Sequence, residues 1–202
     1  MTAKPKKFLQ LVPFYPTPSE IHPKEDYFLM PADIMREKGF EVEFVTLRNT
    51  APTSEYKTGS GNLAPEFEMV KGYPVRRFKN MLSLFSYIRK QKGALVQVHL
   101  RPYPPSQFAP FFVPQKKALR AFTYLLGSNK AVEILTRLSV PKYDIVFCCT
   151  PYEIDIYRKA GVKEERIRHV PLSIDYGFFS AKPDNVKSVA EKFGYADSEF
   201  VV

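Results

Sequence analysis

The residue types that most suggest chemistry follow the ends of predicted strands. The apolar run 94–99, ALVQVH, predicts a buried strand with His99 at its end, and Arg101 and Tyr103 follow in a Pro-rich stretch. In open parallel sheets, ligands bind beyond the carboxyl ends of the strands, so these side chains are candidates for a ligand site. His99 also fits a simpler role, a hydrogen bond to a loop backbone, and Arg101 is either a phosphate anchor or a surface charge.

A second group of candidates follows the predicted strand 145–150, IVFCCT. Thr150 ends this strand, and Tyr152 and Glu153 open a predicted helix. An acidic residue in the first turn of a helix is favoured by the helix dipole alone. A structural role therefore competes with a binding role for these residues.

The stretch after the first predicted strand restricts the class of ligand. It reads PFYPTPSEIHP and offers Tyr15, Ser19 and Glu20 as polar candidates, but it contains no glycine. Both the GxGxxG fingerprint and the P-loop need glycines, because the backbone must approach the phosphates closely. Binding of a dinucleotide or of ATP through those two motifs is therefore excluded.

The possible metal ligands of the chain do not form a site. His22, His99 and His169 lack the spacing of metal ligands. Cys148 and Cys149 are adjacent, and a strand would point them to opposite faces, so they form neither a disulfide framework nor a zinc site. We expect no metal, no tightly bound cofactor and a cytoplasmic location.

Strand and helix patterns alternate along the chain. Strands are predicted at 8–14, 41–47, 66–70, 74–78, 94–99, 145–150 and 166–170, and helices at 26–38, 81–91, 115–126, 129–138, 152–160 and 183–193. Pro31 either lies in the first turn of the first helix or kinks it, and the polar stretch 48–65 is predicted to be an exposed loop. The two strands at 66–78 are either a hairpin or successive edge strands. This alternation predicts an α/β fold with a Rossmann-like, doubly wound parallel sheet covered on both faces.

Basic residues are concentrated in one part of the chain. The net charge is +9, yet no acidic residue lies between Glu68 and Glu133, where there are twelve basic ones. The remainder carries 18 basic and 21 acidic residues, which sum to −3. Such a block indicates a polyanionic partner, namely anionic lipid, nucleic acid or a phosphorylated substrate, or else it only makes the surface soluble.

Part of the basic block also fits a membrane surface. No apolar run reaches the roughly 18 to 20 residues that a membrane span needs. The segment 108–126, FAPFFVPQKKALRAFTYLL, interleaves basic and aromatic residues, as do both membrane-surface helices and ordinary half-buried helices. We expect Lys116, Lys117 and Arg120 to lie on an exposed face near the ligand edge and to contact an anionic membrane.

The segments, taken in order, resemble the N-terminal half of the GT-B glycosyltransferases, in particular the large retaining family 4. YFLMPADIMREKGFEVEFVT is similar to the first helix and second strand of that family, and ALVQVH to its strand that ends in histidine. The most specific match is DIVFCCTPYEIDIYRKAGVKEERIRHVPLSIDYGFF. Its end resembles the interdomain pattern P-x-x-x-D-x-x-x-F through Pro171, Asp175 and Phe179.

The resemblance implies transfer of a sugar from a nucleotide-sugar donor to an acceptor, with retention at the anomeric carbon and without a metal. It implies a catalytic role for His99, whose neutral imidazole would orient the acceptor hydroxyl or stabilise the oxocarbenium-like state. The acceptor, with a lipid-linked or a phosphorylated molecule as the candidates, would contact Tyr15, Ser19, Glu20, Arg101 and Tyr103. Thr150, Tyr152 and Glu153 would line the donor side of the cleft.

Two features of the sequence depart from the family. The Gly-Gly loop that often follows the first strand is replaced by Pro16 to Pro23, and the frequent Asn-Gly of the interdomain segment is Leu172-Ser173. We expect residues 1–180 to form the acceptor-binding domain, and residues 181–202 to form a linker and the start of a C-terminal donor domain that the chain lacks. The chain alone is then expected to be inactive, with that missing domain as its partner.

Two other functions stay open. A stand-alone basic α/β module would bind nucleic acid or an anionic membrane, although the sequence has no recognised nucleic-acid motif and its basic residues fall on several elements. The third hypothesis is that the protein is a peripheral scaffold that catalyses no reaction.

Overall fold

The computed structural model describes residues 6–12, 28–48, 65–99, 104–120 and 130–171. The strands are β1 Lys7–Leu11, β2 Glu41–Leu47, β3 Phe67–Val70, β4 Tyr73–Phe78, β5 Leu95–His99, β6 Lys116–Arg120, β7 Ile145–Cys148 and β8 Ile167–His169. The helices are α1 Leu29–Glu37, α2 Met81–Lys90, α3 Pro104–Phe112, α4 Lys130–Ser139 and α5 Pro151–Lys159. The predicted helix at 183–193, the strand opening at the C-terminus and most of the predicted loop at 48–65 lie outside these ranges.

The strands form one sheet in the order β3-β4-β2-β1-β5-β6-β7-β8. Every pairing is parallel except that of β3 with β4, which is antiparallel. From β1 the chain first moves to β2 on one side and later to β5 on the other. The strand order therefore reverses between β1 and β5, which is the topological switch point where open sheets of this kind bind ligands.

Apolar side chains alternate between the two faces of the sheet. Leu9 and Leu11 of β1 join a core cluster that includes residues of α2, α3 and α5, whereas Phe8 joins a second cluster that contains Ala32 of α1. Helices therefore pack on both faces, as the predicted doubly wound α/β fold requires.

Most of the predicted elements are confirmed within two or three residues. The segment 67–78 is a hairpin, and its turn uses Lys71 and Gly72, both with positive φ. Helix α1 begins at Leu29, so that Pro31 lies in its first turn, where a missing N–H costs no helical hydrogen bond. Gly161 follows α5 with a φ of 89°, in the left-handed conformation that favours glycine after a helix.

The predicted helix at 115–126 is wrong, because Lys116–Arg120 forms β6. Lys, Ala, Leu and Arg all favour helices intrinsically, but the backbone here pairs with a strand on each side. The start of β6 is tied further to the turn before β7, since the Lys117 N–H donates to an Asp144 carboxylate oxygen at 2.9 Å and the Asp144 N–H donates to the Lys117 carbonyl at 3.0 Å. Strand pairing thus outweighs local propensity.

Helix α3 was not predicted, because its prolines indicated an irregular corner. Pro104 and Pro105 stand in the first turn, where proline is favoured, and Pro110 lies inside the helix. Pro110 has no N–H to offer to the carbonyl of Ser106, four residues earlier. The hydroxyl of the fully buried Tyr143 donates to that carbonyl at 2.8 Å, which provides a partner for the carbonyl inside the core.

A buried carboxylate joins β1, β2, β4 and α2. The side chain of Glu43 is 4% exposed and accepts from Lys7 Nζ at 2.6 Å, Arg76 Nε at 2.8 Å and the Tyr87 hydroxyl at 2.7 Å. Burial opposes ionisation of Glu43, but the hydrogen bonds from these three residues outweigh it and hold the pKa of the carboxyl below its ordinary value. The cluster is a structural ion pair network, and its charged residues lie on β1, β2 and β4, on one side of β5 in the strand order.

Candidate functional site

The switch point brings together side chains at the carboxyl ends of β1, β5 and β6. His99 is the last residue of β5 and is fully buried. The Phe28 ring meets the imidazole edge to face, with a centroid distance of 4.7 Å. The register of the sheet places Arg120 of β6 opposite His99. His99 therefore lies at the predicted ligand edge.

Two glutamines lie on the same face of the sheet as His99. Gln10 Oε1 is 2.9 Å from His99 Nε2, while Gln10 Nε2 donates to the Phe28 carbonyl at 3.0 Å. The Phe28 carbonyl can only accept, so the amide nitrogen of Gln10 must face it and the amide oxygen must face His99. The amide nitrogen of the second glutamine, Gln97, is 3.4 Å from His99 Nε2 and makes at most a weak contact with it.

The orientation of Gln10 determines which nitrogen of His99 carries a proton. An amide oxygen accepts only, so Nε2 of His99 must be a donor. In the neutral ring, Nδ1 is then the nitrogen with the lone pair. A histidine with one nitrogen bonded in this way is held in one tautomer and one ring orientation, which general acid-base chemistry and hydroxyl positioning both need.

Arg120 is the one member of the predicted basic trio at the ligand edge. It is 8% exposed and stands at the carboxyl end of β6. Lys116 and Lys117 begin that strand, about 10 to 13 Å away toward the opposite edge of the sheet. The prediction that all three share an exposed face near the cleft is therefore wrong, because Arg120 is buried and the two lysines lie at the other end of the strand.

Thr150 and Glu153 form the N-terminal cap of α5. Thr150 Oγ1 accepts from the Glu153 N–H at 3.2 Å, and the Glu153 carboxylate accepts from the backbone N–H groups of Cys149 and Thr150. This reciprocal arrangement is a capping box, which satisfies donors that a helix N-terminus leaves unpaired. Glu153 is 1% exposed, whereas Tyr152 is 68% exposed. The structural role weighed for Glu153 is thus present, and donor contact by these residues stays a prediction.

The two cysteines are not built as nucleophiles. Neither forms a disulfide. Burial and the nearby Glu153 carboxylate raise the pKa of the Cys148 thiol to about 12, and the same causes raise the pKa of Cys149. Raised thiol pKa values lower the thiolate fraction, which is the reactive form.

The remaining predicted acceptor contacts fall outside the described residues: Tyr15, Ser19, Glu20, Arg101 and Tyr103. Sequence reasoning missed Gln10 and Gln97, although each is a polar residue inside an otherwise apolar strand pattern. A glutamine in such a position must find hydrogen-bond partners when it is buried, and that need was the available signal.

The described ranges contain neither a candidate metal site nor a candidate membrane span. The His, Cys, Asp and Glu residues placed by the structure do not form a group of three or more that could hold a metal ion. Among the same residues, no helix has the length and apolar character to cross a membrane.

Comparisons with known proteins identify the fold. No protein-family model matches the chain, and a search of curated proteins gives no match. The catalytic domain of starch synthase IV from Arabidopsis thaliana, solved bound to ADP and acarbose, matches with a TM-score of 0.54 and 11% identity, over 98% of this chain and 61% of that one. A sucrose-phosphate synthase from Thermosynechococcus elongatus matches with a TM-score of 0.52 and 10% identity, over 94% of this chain and 99% of that one.

These similarities confirm the predicted fold. Both solved structures are glycosyltransferases of the GT-B type, and this chain has the Rossmann-like sheet from which such enzymes are built. The chain spans 61% of the length of the starch synthase chain that it matches.

Proposed function

We propose that this chain is the acceptor-binding part of a glycosyltransferase, which moves a sugar from a nucleotide-sugar donor to an acceptor hydroxyl with retention at the anomeric carbon. The observation that carries the proposal is the contact between Gln10 and His99, which holds the imidazole in one tautomer at the switch point of the sheet. The fold that the chain shares with glycosyltransferases supports it, since this edge is where such sheets bind ligands.

In the proposed reaction His99 works through its neutral imidazole. With Nε2 donating to Gln10, Nδ1 would accept a hydrogen bond from the acceptor hydroxyl and orient its oxygen toward the anomeric carbon of the donor. The ring is fully buried, and hydrogen bonds are stronger where water is excluded. The nucleotide sugar is a substrate in this scheme, and no tightly bound cofactor is proposed.

The alternative of a basic binding module loses support from the positions of its cations. Arg76 and Arg77 are paired with Glu43 and Glu68, and Arg120 is buried, so that these three members of the basic block do not form an open basic surface. A salt titration against duplex DNA tests the alternative. A steep dependence of binding on salt concentration would support it.

The experiment that tests the proposed function measures sugar transfer by the whole protein that contains this chain. A panel of ADP-, UDP- and GDP-sugars is offered with candidate acceptors, and the anomeric configuration of the product is read by NMR. We expect His99→Ala to lower the transfer rate at least about 100-fold, and the exposed His169→Ala to leave it unchanged. Absence of transfer from every donor, or full activity of His99→Ala, would reject the proposal.

We also propose that the protein works in the cytoplasm, at the cytoplasmic face of a membrane. The exposed Lys116 and the half-buried Lys117 are the cations of the predicted trio that remain open to an anionic surface. Flotation with anionic and neutral vesicles tests this contact, and equal binding to both would reject it.

A further inference from the structure

We propose that Arg120 binds the anionic group of the acceptor, and that this group is a monoanion carried on an apolar body, either a phosphodiester or a carboxylate. The inference rests on the proposed function, because it assigns the anion to the acceptor of that reaction. It narrows the acceptor from any sugar or phosphorylated molecule to an amphiphilic one.

The first argument is the electrostatic state of Arg120. A guanidinium that is 8% exposed has lost most of its hydration, and buried charges are normally paired with an opposite charge. Arg77 follows that rule, since it is 3% exposed and its Nη2 lies 2.6 Å from a Glu68 carboxylate oxygen. Arg120 takes no part in the ion pairs found within the described ranges.

The partner that Arg120 contacts within the described ranges carries no charge to balance its own. It donates a hydrogen bond to the thiol of Cys149. Burial and the nearby Glu153 carboxylate raise the pKa of that thiol above its ordinary value, so the sulfur is neutral at pH 7 and is only a weak acceptor. The Glu153 carboxylate itself is engaged by two backbone N–H groups in the helix cap.

The second argument is position. Arg120 stands opposite His99 in the register of β5 and β6, and both residues end their strands at the ligand edge. Neighbouring parallel strands lie about 4.8 Å apart. An anion bound to Arg120 would therefore place the molecule that carries it next to His99.

The third argument is the cavity in front of Arg120. Its volume is about 180 Å³. The polar lining consists of Arg120 and Gln97, and the other lining residues are Met30, Pro31, Ile34, Phe147 and Val170. One guanidinium and one amide match a single negative charge, since a guanidinium binds two oxygens of a carboxylate or phosphate in parallel. A phosphate monoester, with close to two charges, would lack donors here.

The apolar lining continues beyond this cavity. A neighbouring groove of about 340 Å³ shares Pro31, Ile34, Gln97 and Phe147 with it and is bounded further by Phe8, Met35 and Leu95. Its charged lining residues are Lys116, Lys117 and Asp144, which lie where β6 and β7 begin. An apolar arm next to the anionic group would lie along this groove between α1 and the sheet. The combination of one buried guanidinium with the apolar side chains beside it favours an amphiphilic monoanion.

The test uses the 202-residue chain and small probes, so it needs no sugar transfer. Dibutyl phosphate represents the phosphodiester, hexanoate the carboxylate, and tributyl phosphate is a neutral molecule of similar shape. Binding is measured by calorimetry and by chemical shift changes. We expect one or both anions to bind, the neutral ester not to bind, and Arg120→Met to weaken anion binding at least about tenfold.

Two further variants keep the result interpretable. Arg89→Met removes an exposed cation of the same basic block and should leave binding unchanged. Arg120→Lys retains the charge without the planar fork and should bind with intermediate affinity, even if Arg120→Met proves unstable. The proposal is overturned if the wild-type chain binds neither anion, or if Arg120→Met and Arg120→Lys both bind as the wild type does. Anion binding by a protein that transfers no sugar would leave this site standing and reject the proposed function.

Discussion

Gln10 holds His99 from the neighbouring strand, with Gln10 Oε1 2.9 Å from His99 Nε2. The same amide is fixed on its other side by the Phe28 carbonyl. One glutamine thus decides both the orientation and the tautomer of the imidazole.

Gln10→Leu should remove this control over His99. We expect the nitrogen NMR spectrum of the wild-type ring to show a proton on Nε2, and that of Gln10→Leu to show a mixture of tautomers. Stability should fall by about 1–2 kcal/mol, since buried partners lose a hydrogen bond. Gln115→Leu is the matched control and should leave the tautomer of His99 unchanged, because the Gln115 side chain donates to the Ile88 carbonyl instead of to the imidazole. A wild-type ring protonated on Nδ1 alone would contradict the assignment.

The Glu43 cluster should make stability depend on pH in the acid range. The pKa of Glu43 lies below its ordinary value of 4.5 in the folded chain. The unfolded state therefore binds a proton first as pH falls, and the stabilisation, complete above the ordinary value, is lost as pH drops through the folded pKa. Urea unfolding at pH 7 and pH 3 measures the loss.

The matching variants separate Glu43 from the general effect of acid. Glu43→Gln should lower stability at pH 7 by about 1–3 kcal/mol and should reduce the difference between pH 7 and pH 3. Glu37→Gln, at an exposed position, should change neither. An unchanged pH dependence in Glu43→Gln would show that other carboxyls are responsible.

The capping box of α5 should contribute to the stability of the folded chain. Thr150→Ala is expected to cost about 1 kcal/mol, with a smaller cost for Glu153→Gln, whose amide oxygen can still accept. Thermal unfolding measures both, and Tyr152→Ala at the exposed neighbour is the control. If Thr150→Ala left stability unchanged but weakened donor binding by the whole protein, Thr150 would be a binding residue after all.

Both cysteines should react slowly with thiol reagents in the folded chain. The pKa of Cys148 is about 12 against an ordinary value of 9.0. At roughly tenfold per pKa unit, its thiolate fraction at pH 7.5 is about a thousand-fold below that of an ordinary thiol. Ellman's reagent should label the unfolded chain rapidly and the native chain slowly. Fast labelling of native Cys148, identified by mass spectrometry, would contradict its burial.

The chain alone should not bind nucleotide sugars with appreciable affinity. In the proposed division, it supplies the acceptor wall, and transition-state stabilisation needs groups on both sides of the transferring sugar. Calorimetry with a panel of nucleotide sugars measures this. Micromolar binding that His99→Ala abolishes would show that the donor site lies in this chain.

The order of elements was predictable because it rests on local patterns, and the errors arose where distant residues decide. A short apolar run rich in β-branched residues, such as 94–99, indicates a buried strand without knowledge of its neighbours. The segment KKALR is a strand because β5 and β7 flank it, and no feature within the segment reveals those neighbours. In α3, prolines indicated a break, yet two lie in the first turn and the third has a remote compensating donor.

The candidate site was predictable only in part, for the same reason. His99 was found from its place at a strand end, a one-dimensional feature. Gln10 is far from His99 in sequence, and its role depends on β1 and β5 being neighbours. Arg120 was placed on a helix face, so its position opposite His99 could not be derived.

The contact between Tyr143 and Ser106 has a consequence for how the chain folds. Pro110 has no N–H for the Ser106 carbonyl inside helix α3. The hydroxyl that donates to this carbonyl belongs to Tyr143, 37 positions after Ser106. During synthesis the helix segment emerges well before Tyr143, so the Ser106 carbonyl lacks this hydroxyl donor until residue 143 has been made. Helix α3 and the turn before β7 are therefore expected to form a single cooperative unit, whose amide hydrogens exchange with solvent together.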